Sequence, residues 1–260
     1  MSKRGFFIDV QGTLIDDLER MPISGACEFI DTLNTQNIPY VVITNNTKEK
    51  SEIFLNNLKQ KGLNIKNYID PFSLLTKVVP QKRVAAFGSS EFLAIIVELG
   101  YELDFQNPEA LIVSIKKEYT NEDYSLMIEC GIKAENLVGM HETSIYAKDK
   151  KRYPGVGAIM QMIKFAVNKE YQVVGKPSFT FYDKARELIG LDFKDITTVS
   201  DDMIGDLIGA KNLNMQTCLV LSGKIKDENE ILHTLKKEER PDSICRDMRK
   251  VLELFSKGEI

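Results

Sequence analysis

The chain repeatedly runs a short, uninterrupted apolar segment into a polar residue and then into a stretch with helical spacing. This alternation constrains the fold more than any other feature. Strands are expected over 6–10, 39–44, 83–87, 110–115, 136–140, 171–174, 196–199 and 216–221. Helices are expected over 25–35, 48–61, 90–99, 121–130, 157–168, 178–189, 205–213, 228–236 and 245–255. Ala26, Phe29, Ile30 and Leu33 show the spacing of one helix face, and Gly62 and Gly100 stand where helices would stop. Strands without polar alternation are buried on both faces, so the pattern predicts an α/β fold: a Rossmann-like parallel sheet with helices on both faces.

Composition narrows the function classes. Net charge is −4, which gives no electrostatic reason to expect nucleic acid or an anionic membrane surface as a partner. No apolar run approaches the roughly 18 residues a membrane span needs, and Met1-Ser2-Lys3-Arg4 leads into a strand without the apolar core of a signal peptide. The cytoplasm is the expected location. The cysteines at 27, 130, 218 and 245 form no C-x-x-C, and there are only two histidines, which argues against zinc and for reduced thiols. The charged run Lys148-Asp149-Lys150-Lys151-Arg152 reads as a solvated loop.

Ligands of open parallel sheets collect where loops leave the carboxyl ends of strands. Four such ends carry chemistry here. Asp9 follows Phe6-Phe7-Ile8, either as a turn cap or as a carboxylate facing a phosphate. Thr44-Asn45-Asn46 follows Val41-Val42-Ile43 and offers a hydroxyl and backbone amides for a phosphate oxygen, or a helix cap. Lys176, in Gly175-Lys176-Pro177-Ser178, is a fixed positive charge at the start of a helix. Ser200-Asp201-Asp202, with Asp206, is an acidic loop that suits a hard cation or a helix N-terminus. Together they supply a nucleophile, a hydroxyl donor, a charge neutraliser and a metal seat, the set that phosphoryl transfer needs.

In this order and spacing the residues resemble the haloacid dehalogenase superfamily of aspartyl-phosphate hydrolases. About 130 residues separate Thr44 from Lys176, and such an insertion resembles the α/β cap of the NagD-like, para-nitrophenylphosphatase-like subfamily IIA. Local strings agree: Pro154-Gly155-Val156-Gly157-Ala158, Gly175-Lys176-Pro177-Ser178, Asp201 to Ala210, Leu219-Val220-Leu221-Ser222-Gly223, and a closing strand at Pro241-Asp242-Ser243-Ile244. The resemblance implies a core over 1–77 and 168–260 with a cap over 78–167. It implies Mg²⁺-dependent hydrolysis of a small phosphorylated metabolite, and a possible homodimer. Asp9 would be the nucleophile. Thr44, Asn45, Asn46 and Lys176 would bind phosphate, Lys176 also acting in catalysis. Asp9, the backbone carbonyl of Gln11, Asp201 and Asp206 would form the metal site.

The sequence departs from that pattern at three places. Ser200 replaces a usual Gly. Gly139-Met140-His141-Glu142-Thr143 replaces an Ala-Thr-Asn-x-Asp string and is closer to lysine/histidine-phosphate phosphatase-like members, which makes His141 a candidate substrate contact from the cap. Gln11 stands where the family carries its general acid and base. A carboxamide does not exchange protons near neutrality, so turnover is expected to be slow or restricted to good leaving groups. Asp16 or Asp17 could substitute. The alternatives are a non-enzymatic relative that binds a phosphorylated metabolite or a protein, and a phosphotransferase.

Overall fold

The structure is a computed structural model that describes residues 4–148 and 151–260. In chain order its elements begin β1 (Gly5–Asp9), α1 (Ala26–Thr35), β2 (Tyr40–Ile43), α2 (Ser51–Gln60), β3 (Tyr68–Ile69) and α3 (Phe72–Val78). Then come β4 (Arg83–Phe87), α4 (Ser90–Glu98), β5 (Glu102–Leu103), β6 (Ala110–Val113), α5 (Asn121–Lys133), β7 (Asn136–Gly139), β8 (Ile145–Lys148), β9 (Lys151–Pro154) and α6 (Val156–Val167). The chain closes with β10 (Tyr171–Val173), α7 (Phe179–Ile189), β11 (Ile196–Ser200), α8 (Ile208–Asn212), β12 (Gln216–Val220), β13 (Ser243–Cys245) and α9 (Met248–Ser256).

Two compact units result. The first comprises Met1–Thr44, Glu52–Ile69 and Tyr182–Ile260, and the second Asn45–Ser51 and Asp70–Phe181. The first holds an all-parallel sheet in the order β13-β12-β11-β1-β2-β3. All residues of β1 and β2 are buried, as continuous apolar strands require. Alternation sends Phe6 and Ile8 into a core with Phe29, Ile30 and Leu33 of α1 and Val251 of α9. Phe7 points the other way and stacks on Tyr182 of α7 at 6.1 Å. Helices therefore cover both faces. Because β1 lies between β2 and β11, the strand order reverses there, and the carboxyl ends of β1 and β11 mark the place where open parallel sheets take their ligands.

The second unit has its own parallel sheet, β10-β7-β6-β4-β5, and a hairpin of β8 and β9. Leu111, Val113 and Leu137 pack on Met127 and Cys130 of α5 and on Ile159, Met160 and Ile163 of α6. The sequence placed the insert over 78–167. The second compact unit spans Asn45–Ser51 and Asp70–Phe181, with β10 paired to β7 in its sheet.

Other departures have local causes. The segment expected as a helix over 228–236 is a run of short 3₁₀ turns, Glu228–Glu230, Leu232–Thr234 and Lys237–Glu239. Only Leu235 of it is buried, too little to hold a full helix against the sheet. The helix expected from Gly205 opens with a wider turn, Met203–Leu207. Cys245 lies in β13, and the last helix starts at Met248. In the charged run, Lys148 and Lys151-Arg152 are strand residues of the hairpin, not loop; Asp149 and Lys150 lie outside the described residues. All four cysteines are free thiols, and among the described residues no helix is long and apolar enough to cross a membrane.

Candidate active site

In the first unit, β1 ends on Asp9, which is buried, and β11 runs directly into Asp201, which is 1% exposed. The two strands are hydrogen-bonded neighbours in parallel register, so both carboxylates leave the same edge of the sheet. The chain turns back immediately after Asp9. Gly12 donates to the Ile15 carbonyl at 2.8 Å and adopts a positive φ of 74°. Thr13 accepts the Asp201 N–H through its hydroxyl at 3.0 Å. A Cβ on Gly12 or on Gly223 would overlap the Asp201 carboxylate, and one on Gly223 would also lie 2.7 Å from the Gly12 Cα. Glycine is required at both places so that two loops can close around this acid.

Burial, and then the charge of Asp9, push the Asp201 carboxyl well above its ordinary range. The Lys224 N–H, which donates to Asp201 Oδ2 at 2.6 Å, works against them. Two buried carboxylates at adjacent strand ends suit a hard cation as oxygen ligands. Asp206 is differently employed. Its Oδ2 accepts from the Ser200 hydroxyl at 2.7 Å, and its carbonyl accepts from Tyr182 at 3.1 Å. Ser200 Oγ also accepts the Asp202 N–H at 3.1 Å. The serine found in place of the expected glycine thus ties the acidic loop to Asp206.

The Mg²⁺ implied by the sequence resemblance has a matching donor set in Asp9 and Asp201. Mg²⁺ commonly takes one or two carboxylates and completes its shell with waters and substrate phosphate. Among the described residues no three Asp, Glu, His or Cys side chains gather as a metal group. Asp206 lies on the same loop, with one carboxylate oxygen accepting from the Ser200 hydroxyl. Gln11 is exposed beyond Asp9 and buried Val10. Thr44 is buried, and its N–H donates to the Ile69 carbonyl at 3.2 Å.

Asp16 is committed elsewhere. Its carboxylate accepts from the amides of Leu18, Glu19 and Met21 at 2.8–2.9 Å. The Glu19 amide, and then that of Met21, hold it below the usual carboxylate range. Asp17 is exposed on the same turn.

In the second unit, Lys176 follows β10 and His141 follows β7, at the carboxyl edge of neighbouring strands. Both are buried, Lys176 at 2% exposure. Asn45 and Asn46, the expected phosphate contacts, also make side-chain bonds to backbone within the second unit. Asn45 Oδ1 accepts the Lys176 N–H at 2.8 Å and its Nδ2 donates to the Lys176 carbonyl at 3.4 Å, so the carboxamide clasps the lysine's backbone. Asn46 donates to the Glu49 carbonyl at 2.7 Å and accepts from the Lys48 amide at 3.2 Å. The Glu142 N–H donates to the Lys176 carbonyl at 3.3 Å, and Glu142 Oε1 accepts from the Tyr171 hydroxyl at 2.5 Å.

Sequence reasoning missed Thr13, Tyr182, Ser222 and Lys224. Ser222 donates to the Gly12 carbonyl at 2.6 Å, and Lys224 forms an ion pair with Asp202. The signal was available for two of them, since Ser222 and Lys224 follow β12 as Asp201 follows β11.

Comparison with known proteins agrees with this geometry. A haloacid dehalogenase-like hydrolase family model matches residues 6–102, and a HAD-hydrolase-like model matches residues 173–251. These spans contain Asp9, Gln11, Thr44, Lys176, Asp201 and Asp206, and leave His141 between them. The acid sugar phosphatase of Staphylococcus saprophyticus is 24% identical over 262 residues, which cover 98% of each chain. The 4-nitrophenylphosphatase of Thermotoga maritima has the same fold, with a TM-score of 0.82, 20% identity and 97% of each chain covered. NagD from E. coli K-12 superimposes with a TM-score of 0.78 at 18% identity, covering 95% of this chain and 98% of that one. The chain belongs to the haloacid dehalogenase-like hydrolases.

Proposed function

We propose that the chain is a Mg²⁺-dependent phosphatase that hydrolyses small phosphate monoesters through an aspartyl-phosphate at Asp9. Turnover is slow, or confined to esters with good leaving groups. The observation that carries this reading is the buried pair of Asp9 and Asp201 at the carboxyl ends of adjacent parallel strands. Relatives named acid sugar phosphatase and 4-nitrophenylphosphatase support it.

In this reading an Asp9 oxygen attacks phosphorus, and the bond from phosphorus to the leaving oxygen breaks. Water then attacks phosphorus, releases phosphate and restores the Asp9 carboxylate. Bound Mg²⁺ would supply positive charge to the carboxylates and the phosphate oxygens. Asp201 would hold that cation with Asp9, and Gly12 and Gly223 keep room for the Asp201 carboxylate. Lys176 is the charge neutraliser for the transferring oxygens, and Asn45 acts by holding its backbone. The second unit selects the leaving group, with His141 at its sheet edge. Gln11 leaves the proton transfers to solvent, and Asp16, occupied by three backbone amides, does not replace it.

Hydrolysis of para-nitrophenyl phosphate tests the reading. Turnover above the buffer rate is expected with Mg²⁺, with loss on addition of EDTA and recovery when Mg²⁺ is restored. A protein that binds Mg²⁺ and phosphate but never exceeds the buffer rate would be a binding relative instead.

A further inference from the structure

The loop after β12 lies directly against the acidic pair. Ser222 pins it to the Gly12 carbonyl at 2.6 Å, and Gly223 brings its backbone against the Asp201 carboxylate. Lys224 then makes two different contacts. Its backbone N–H donates to Asp201 Oδ2 at 2.6 Å, while its ammonium pairs with the Asp202 carboxylate. The other Asp202 oxygen accepts the Gly205 N–H at 2.8 Å, so this carboxylate is fixed at the start of the turn that carries Asp206. The Lys224 side chain is 50% exposed, which sets its ammonium at the solvent rim of the cluster. The chain therefore brings its own cation to the acidic loop beside the place where a divalent ion is expected.

We infer that Lys224 is a positioning residue: a tethered counter-ion that compensates the acidic loop and lowers its affinity for Mg²⁺. The inference rests on the proposed role of Asp9 and Asp201 as ligands. A positive charge beside a divalent site repels the incoming ion, and the pair with Lys224 also occupies an Asp202 oxygen that could otherwise attract it. Removing the ammonium acts in the same direction on both counts. The backbone N–H on Asp201 is retained in any substitution other than proline, so the two contacts of Lys224 can be separated.

The test is calorimetric titration of the metal-free protein with MgCl₂, alongside circular dichroism to confirm folding. Lys224→Gln is expected to bind Mg²⁺ roughly three- to tenfold more tightly than the parent, an effect the size of one partly screened charge. The gain should shrink as NaCl is raised, because it is electrostatic. Lys224→Arg, which keeps the charge, should bind as the parent does. Equal or weaker binding by folded Lys224→Gln, or a gain indifferent to salt, would overturn the inference. Asp201→Asn in the same titration separates the two levels. If it binds Mg²⁺ as the parent does, the ligand assignment itself fails and takes this inference with it. If it loses Mg²⁺ while Lys224→Gln is unchanged, only the role of Lys224 fails.

Discussion

Gln11→Asp is expected to raise kcat for para-nitrophenyl phosphate by about 10²–10⁴-fold, the usual worth of a positioned acid–base group. Gln11 is exposed, two residues beyond the buried nucleophile candidate, so an aspartate there meets no packing penalty. The backbone carbonyl of residue 11 is the same in both proteins, which leaves metal binding unaffected by the exchange. The gain should be large because no nearby group already does the work. Asp16 spends its carboxylate on the amides of Leu18, Glu19 and Met21, and the Glu19 amide, then that of Met21, hold it below the usual carboxylate range. The increase should be greater still for alkyl phosphates, whose poor leaving groups depend on protonation. Steady-state kinetics at saturating Mg²⁺ measure both. A kcat within a few-fold of the parent would show that proton handling does not limit this protein.

Asp9→Asn acts in the opposite direction. It is expected to reduce turnover by roughly 10⁴-fold or more, to the buffer background, as loss of a nucleophile does in enzymes where it has been removed. The substitution is nearly isosteric and keeps the strand end intact. It also removes the charge that, after burial, does most to push up the Asp201 carboxyl. The metal-free variant should therefore melt no lower than the parent, and the Asp201 carboxyl should return toward its ordinary range. Kinetics and a thermal melt on one preparation separate lost chemistry from lost fold. Activity retained in folded Asp9→Asn would remove the nucleophile assignment.

The fold was legible wherever an apolar run was long enough to be a strand buried on both faces. Phe6–Ile8, Val41–Ile43 and Ile196–Val199 told where the first sheet lies, and the residue after each told where its chemistry sits. The two-residue strands β3 and β5 carry too few side chains to show a period. The hairpin of β8 and β9 was hidden because its charged residues look like a solvated loop.

The roles of the site residues were less legible than their positions. Nothing local in the sequence marks Asn45 as the residue that holds the Lys176 backbone, 131 residues away. The Thr13 hydroxyl meets the Asp201 amide across 188 residues. Ser200 looked like a defect in a motif, yet its hydroxyl connects Asp202 to Asp206. Such bonds are set by which loops the strand order brings together, and no local pattern records them.

Acid trapping of the intermediate decides whether Asp9 is the nucleophile. The protein is mixed with para-nitrophenyl phosphate and Mg²⁺, quenched in acid, digested and examined by mass spectrometry. The added mass of one phosphoryl group is expected on the peptide that contains Asp9, absent from Asp9→Asn and less abundant at steady state in Gln11→Asp, where water attack is restored. Turnover by the parent with no phosphoryl group on Asp9, or with one on another residue, would contradict the nucleophile assignment.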